Sequence, residues 1–237
     1  MNRRVMIEDF YKIITELKDV LGGTWYIPSF SKKTALPPQG VYFYFEPGEL
    51  REKSTELRIT RIGTHAISNK SKTLLIDRIL HDRGTVNGPR IGGGYHRKSV
   101  FRRHIGNAII NKNDEVMKYV NWDIKIGVPR ESRIDEQIIE KKVSSYIHKM
   151  PILWLAVPGN SHKNNMRAFI ESNSIALLSN YLKNEKIDSP SKNWLGLENP
   201  EKEISNSGLW NIKHTEKKPD PDLIVQLKKL VNNLKKN

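Results

Sequence analysis

The chain has 237 residues, 37% hydrophobic and 28% charged, a balance that fits a soluble protein burying its own core. Forty Lys and Arg against 26 Asp and Glu give a formal net charge of +14, which favours a polyanionic partner through counterion release. Cysteine is absent, which excludes disulfide frameworks, thiol nucleophiles and cysteine-based zinc sites; a charged N-terminus and the lack of any run of 18 apolar residues predict a cytoplasmic protein with no membrane partner.

Ile7, Phe10, Ile14, Leu17 and Leu21 recur at helical spacing, and Gly22-Gly23 ends the pattern, so residues 7–21 are expected to form an amphipathic helix. A loop rich in Ser, Lys and Pro follows at 30–39. GVYFYFEPGELREKSTELRITRIG, residues 40–63, predicts two strands joined by a polar excursion around Pro47-Gly48. Val41, Phe43 and Phe45 share one face of the first strand, and Tyr42 and Tyr44 the other. In RITRIGTHA strict alternation sets Arg61 on the face of Leu57 and Ile59, a charge where an apolar residue is expected.

SKTLLIDRILHDRG predicts a short helix stopping at Gly84, with Arg78 one turn from His81 and Asp82. Ser99 is placed to cap the next helix, SVFRRHIGNAII, whose N-terminus would face the glycine-rich loop GPRIGGGYHRK. Gly92-Gly93-Gly94 is no P-loop, because Gly-Lys-Ser/Thr is missing, yet a backbone nest there suits a phosphate. Residues 83–113 contain no acidic residue, so Arg83, His96, Arg97, Lys98, Arg102 and Arg103 are expected to contact a nucleic-acid backbone; His96 and His104 lack the partners of a zinc site. A helix is expected over 134–149, a buried strand over 151–158, and a helix carrying Glu171 within NMRAFIESNSIALLSNYL. Residues 184–220 show no sustained periodicity but contain Trp194 and Trp210, expected as packing anchors, and a helix over about 220–235 closes the chain.

The order strand, strand, helix, helix, strand, helix, with Gly40-Val41-Tyr42 in the first strand and Arg61-Ile62-Gly63 ending the second, resembles the GIY-YIG nuclease family. Arg78, His81 and Glu171 follow in that family's order. The stretches RIGTHA, GGGYHRKSVFRRHIG, MPILWLAV, IESNSIALLSNY and SGLWN resemble a bacterial subfamily of hypothetical GIY-YIG proteins. The resemblance implies an α+β fold with a small, mainly antiparallel sheet flanked by helices. It implies an N-terminal helix and loop at 1–39, a nuclease core at 40–183, and an irregular segment with a helix at 184–237 packed on that core.

For function the resemblance implies a metal-dependent endonuclease that hydrolyses DNA phosphodiesters in a prokaryotic restriction, anti-phage or repair setting. RNA is an alternative substrate, one Mg²⁺ or Mn²⁺ the cofactor, and a monomer or homodimer the assembly. Tyr42 would accept or relay the proton of the attacking water, Arg78 would clamp the phosphate, and Glu171 would hold the metal, which can take its other ligands from water and phosphate. Gly40 and Gly63 are the signature glycines, and Asn180 resembles the family's late asparagine, able to orient a helix end or a metal water.

Three departures stand out. The two signature strands are more widely spaced than in compact members. His81 lies three residues after Arg78, where the family usually has histidine at four and this chain has Asp82, so His65 or His96 is an alternative proton donor. Arg61 replaces a tyrosine and cannot act as a base. Arg61 and the shifted histidine are the arguments for the rival reading, a nucleic-acid-binding protein that keeps the fold without turnover. A third reading, an enzyme of free nucleotides, would need a deep small-molecule pocket.

Overall fold

The structure, a computed structural model, describes residues 2–65, 73–88, 90–158 and 165–235. The first helix, α1 (Arg3–Val20), starts at Asn2, whose side chain accepts the Arg4 N–H, and is followed by Gly22 and Gly23 at positive φ. A two-residue strand, β1 (Trp25–Tyr26), comes next; it is too short to leave a periodic signal. The long strands β2 (Gly40–Leu50) and β3 (Leu57–Thr64) pair antiparallel. Then come α2 (Leu75–Arg83), α3 (Val100–Lys112), α4 (Arg130–Ile147), β4 (Pro151–Ala156), α5 (Met166–Leu178), α6 (Lys202–Ser207) and α7 (Asp222–Leu234). The sheet is antiparallel throughout in the order β1-β4-β2-β3, so the fold is α+β.

The β2–β3 register corrects two expectations. Tyr44 pairs with Arg61 and Phe45 with Ile59, so Thr60 is an extra residue, a β-bulge that breaks the alternation. Arg61 therefore shares a face with Tyr42 and Tyr44, not with Ile59. Pro47-Gly48 is not the hairpin turn either: β2 continues to Leu50, and the chain reverses at 51–56, where the Arg51 N–H donates to the Glu56 carbonyl at 2.9 Å. Gly48, at φ 84°, instead marks a second irregularity, between Phe45 and Leu50.

A core fills each side of the sheet. Val41, Phe43, Phe45, Ile59, Ile62, Leu153 and Leu155 pack with α1, α5 and α7, so the two ends of the chain share one layer. Tyr42, Tyr44, Ile152 and Trp154 pack with α2, α3, α4, Trp194 and Trp210 on the other side. The two tryptophans are buried anchors, as expected, and both indoles donate to the buried Glu46 carboxylate at 3.1 Å. Among the described residues no helix is long and apolar enough to cross a membrane.

The outer edge of β3 is closed by the segment SGLWN. The Trp210 N–H donates to the Thr60 carbonyl at 2.7 Å, while the Asn211 amide accepts the Ile62 N–H at 3.1 Å and donates to the Ile62 carbonyl at 2.9 Å. An edge strand that would otherwise offer free backbone groups is thus satisfied from a segment about 150 residues later in sequence.

Candidate functional site

Tyr42 and Gly63 face each other across β2 and β3, and the tyrosine ring lies over the glycine. A Cβ at residue 63 would sit 2.3 Å from the Tyr42 hydroxyl, so the RIG glycine is the space that Tyr42 fills. Gly40 is similarly constrained, since a Cβ there would meet the Leu155 carbonyl oxygen at 2.4 Å. The Tyr42 hydroxyl accepts a 3.1 Å hydrogen bond from Arg78 Nε on α2. Arg78 Nη1 lies 3.2 Å from Oδ1 of Asp82, one turn along the helix. Asp82 is fully buried and also accepts from the Ser99 hydroxyl at 2.6 Å and the Tyr44 hydroxyl at 3.4 Å.

Glu171 reaches the same end of the sheet from α5. Its Oε1 accepts the N–H of Thr64, the residue after Gly63, at 3.2 Å. Arg61, on the tyrosine face, donates from Nη1 to the Trp210 carbonyl at 2.5 Å and lies over the Phe101 ring at 5.3 Å. Among the described residues it has no carboxylate within ion-pair distance, and its buried Nε has no hydrogen-bond partner. Tyr42, Arg61, Arg78 and Glu171 are therefore gathered at one place.

Their charges act on one another. Burial raises the Glu171 carboxyl, and Arg61, the Thr64 N–H, Arg78 and Lys213 pull it back. Burial also raises the Tyr42 phenol, against the opposing pull of Arg78 and Arg61, so the phenol is neutral near pH 7. Burial works against the Arg78 charge, yet Asp82 and Tyr42 hold its pKa above the usual arginine value.

His65 follows β3 directly: its Nε2 lies 3.2 Å from the Pro38 carbonyl, and its buried Nδ1 has no hydrogen-bond partner among the described residues. His81 is exposed on α2. Burial and the Arg78 charge lower the pKa of His81, and burial lowers that of His65.

The expected nucleic-acid contacts divide between residues held in internal pairs and residues left at the surface. His96 is buried, stacked on Trp122 with ring centroids 3.7 Å apart, with Nδ1 at 2.9 Å from Glu140 and Nε2 at 2.7 Å from the Trp122 carbonyl. It can neither touch a phosphate nor stand in for a proton donor at Tyr42. Arg102 is buried and donates to Glu140 from Nε and Nη2 at 2.9 and 2.6 Å. Arg97 forms a two-pronged pair with Glu136 at 2.7 and 2.8 Å. The glycine loop serves this packing, since a Cβ at Gly94 would lie 2.4 Å from the Arg102 guanidinium. The anion beside the capped start of α3 is Asp82, held by the cap residue Ser99, rather than a phosphate. Lys98 is exposed, and Arg103 and Arg83 are partly exposed; Arg103 reaches Asp123 only at 3.7 Å, and Arg83 donates to the Phe30 carbonyl.

Asn180 lies apart from the tyrosine: its side chain closes the 180–187 loop, donating to the Ile187 carbonyl at 2.9 Å and accepting the Ile187 N–H at 3.0 Å. The asparagine that touches the RIG strand is Asn211. Sequence reasoning also passed over Asp82 as a partner of Arg78, although its i+4 spacing was a readable signal. His104 left no such signal: it is buried with neither ring nitrogen hydrogen-bonded among the described residues, its pKa lowered to about 3 by burial and by Arg61 and Arg103.

No group of three or more His, Cys, Asp or Glu among the described residues could enclose a metal ion. The Glu171 carboxylate, whose Oε2 has no hydrogen-bond partner among the described residues, could hold a cation such as Mg²⁺, which keeps waters and takes phosphate ligands. No curated protein and no solved structure matches the chain. A family model described as the GIY-YIG domain matches residues 1–237. With that match running the full length, over a sheet whose Tyr42, Gly63, Arg78 and Glu171 meet at one end, the chain belongs to the GIY-YIG domain family, a family of nucleases.

Proposed function

We propose that this protein is a divalent-metal-dependent endonuclease that hydrolyses DNA phosphodiester bonds, in the cytoplasm of a prokaryote and in a restriction, anti-phage or repair setting. The observation that carries the reading is the gathering of Arg61, a guanidinium with no carboxylate partner among the described residues, with Arg78, Tyr42 and Glu171. A cation that makes no ion pair among the described residues, close enough to the Glu171 carboxylate to oppose the rise in its pKa, favours an anionic substrate.

Each residue has a physical task. Arg78 and Arg61 set positive charge where negative charge grows on the phosphorus oxygens. Tyr42, as a neutral phenol, positions the attacking water and relays its proton rather than removing it as a phenolate. Glu171 supplies the carboxylate for Mg²⁺ or Mn²⁺, and a bound metal would polarise the phosphate and stabilise the leaving oxygen. His65 and His81 are the candidates for proton delivery, and Lys98, Arg83 and Arg103 for contacts to the DNA backbone.

Supercoiled plasmid incubated with Mg²⁺ or Mn²⁺ tests this. Wild-type protein is expected to nick or linearise it, Glu171→Ala to lose cleavage by about 100- to 1,000-fold, and Tyr42→Phe to lose less. Intact plasmid with every metal, with salt-sensitive binding retained, would replace this reading by a binding protein on the same fold. Cleavage unaffected by both substitutions would move the site elsewhere.

A further inference from the structure

We propose that Asp82 is a positioning residue that fixes the guanidinium of Arg78, and that it links the site to the capped start of α3. This rests on the reading of Arg78 as the phosphate clamp. Arg78 uses Nε on the Tyr42 hydroxyl and Nη1 on Asp82, which leaves Nη2 without a partner among the described residues. One edge of the planar fork is hydrogen-bonded and a second is ion-paired, which gives the third a preferred direction.

Asp82 is itself held from several sides. Oδ1 accepts from Ser99, Oδ2 from Tyr44, and the Asp82 backbone carbonyl accepts from Arg102 Nη1 at 2.9 Å. Ser99 is also the N-cap of α3, its hydroxyl oxygen accepting the Arg102 N–H at 3.3 Å. The carboxylate is completely buried, and such a charge requires a cation. The neighbouring Arg102 is taken by Glu140, which leaves Arg78 as the counter-ion. Rotation of Arg78 away from Tyr42 would strand the Asp82 charge, so the pair resists exactly the motion that would spoil the clamp. The residue four positions after Arg78 thus acts through the arginine and not on the substrate.

A double-mutant cycle tests this on plasmid cleavage, with melting temperature measured for every variant. Asp82→Asn keeps the shape and is expected to lower kcat by about 10- to 100-fold, with KM little changed. In an Arg78→Ala background, Asp82→Asn should reduce kcat no further and should restore part of the lost melting temperature, because the stranded charge is gone. Multiplicative losses, or full activity in Asp82→Asn where Arg78→Ala is inactive, would overturn the proposal. If wild-type protein does not cleave, or if Arg78→Ala cleaves normally, the clamp reading fails instead. The positioning then stands or falls on ¹⁵N spectra of the Arg78 guanidinium: Asp82→Asn should abolish its slowed rotation, and an unchanged signal refutes it.

Discussion

On one side of the sheet lie two groups of basic side chains, and they differ in what neutralises them. Between α3 and α4, His96 and Arg102 converge on Glu140, and Arg97 closes on Glu136; every one of these contacts lies between 2.6 and 2.9 Å. At the end of β2 and β3, Arg61 has a carbonyl acceptor and an aromatic ring but no carboxylate within ion-pair distance among the described residues. The first group is a set of struts. The second pairs Arg78 with Asp82 but leaves Arg61 without an ion pair among the described residues, and in this fold that unpaired charge, rather than the density of basic residues along the chain, marks the candidate site.

That contrast can be broken by removing struts. Arg102→Met leaves Glu140 buried without its main counter-ion and is expected to cost about 3–5 kcal/mol by urea denaturation. A loss near zero would mean that Arg102 is free for another partner. Gly63→Ala tests the other group: the added methyl must displace the Tyr42 ring, costing about 1–3 kcal/mol and reducing cleavage as well. Retained stability with retained cleavage would show that the close approach has no role.

Acidity sharpens the comparison further. Burial raises the Glu171 carboxyl, so its neutral form is favoured in the folded protein. The stability this contributes is present below the unfolded pKa and is lost as pH rises through the folded one. Cleavage needs the opposite form, so its acid limb should fall at a higher pH than an ordinary glutamate would give, and a higher Mg²⁺ concentration should move it down. An acid limb at or below the ordinary glutamate range, insensitive to metal, would count against Glu171. The smallest effect is expected at Lys98, an exposed residue, where Lys98→Ala should lower the salt slope of DNA binding by about 1.

Much of this was legible in the sequence because it is local. The helices other than α6, which lies in the segment without periodicity, announced themselves by spacing and caps, Ser99 included, and the order of Tyr42, Arg78 and Glu171 resembled that of one family site. The bulge at Thr60 was not legible, because alternation assumes an unbroken ladder, and the face of Arg61 followed from that assumption. The struts failed for a different reason. An acid-free run from 83 to 113 says nothing about Glu136 and Glu140, which belong to a later helix and reach back about 40 residues to His96, Arg97 and Arg102. Asn211 was hidden by a longer separation, closing the RIG strand across 149 residues from a segment with no periodicity.

The central claim is most directly tested by measuring plasmid cleavage and melting temperature together for Arg61→Ala and Arg97→Ala. Arg61→Ala should lose cleavage by about 100-fold while melting close to the wild-type temperature, and Arg97→Ala should melt lower while cutting at the wild-type rate per folded molecule. Normal cleavage by Arg61→Ala, with cleavage lost and stability kept in Arg97→Ala, would contradict the division between the two groups.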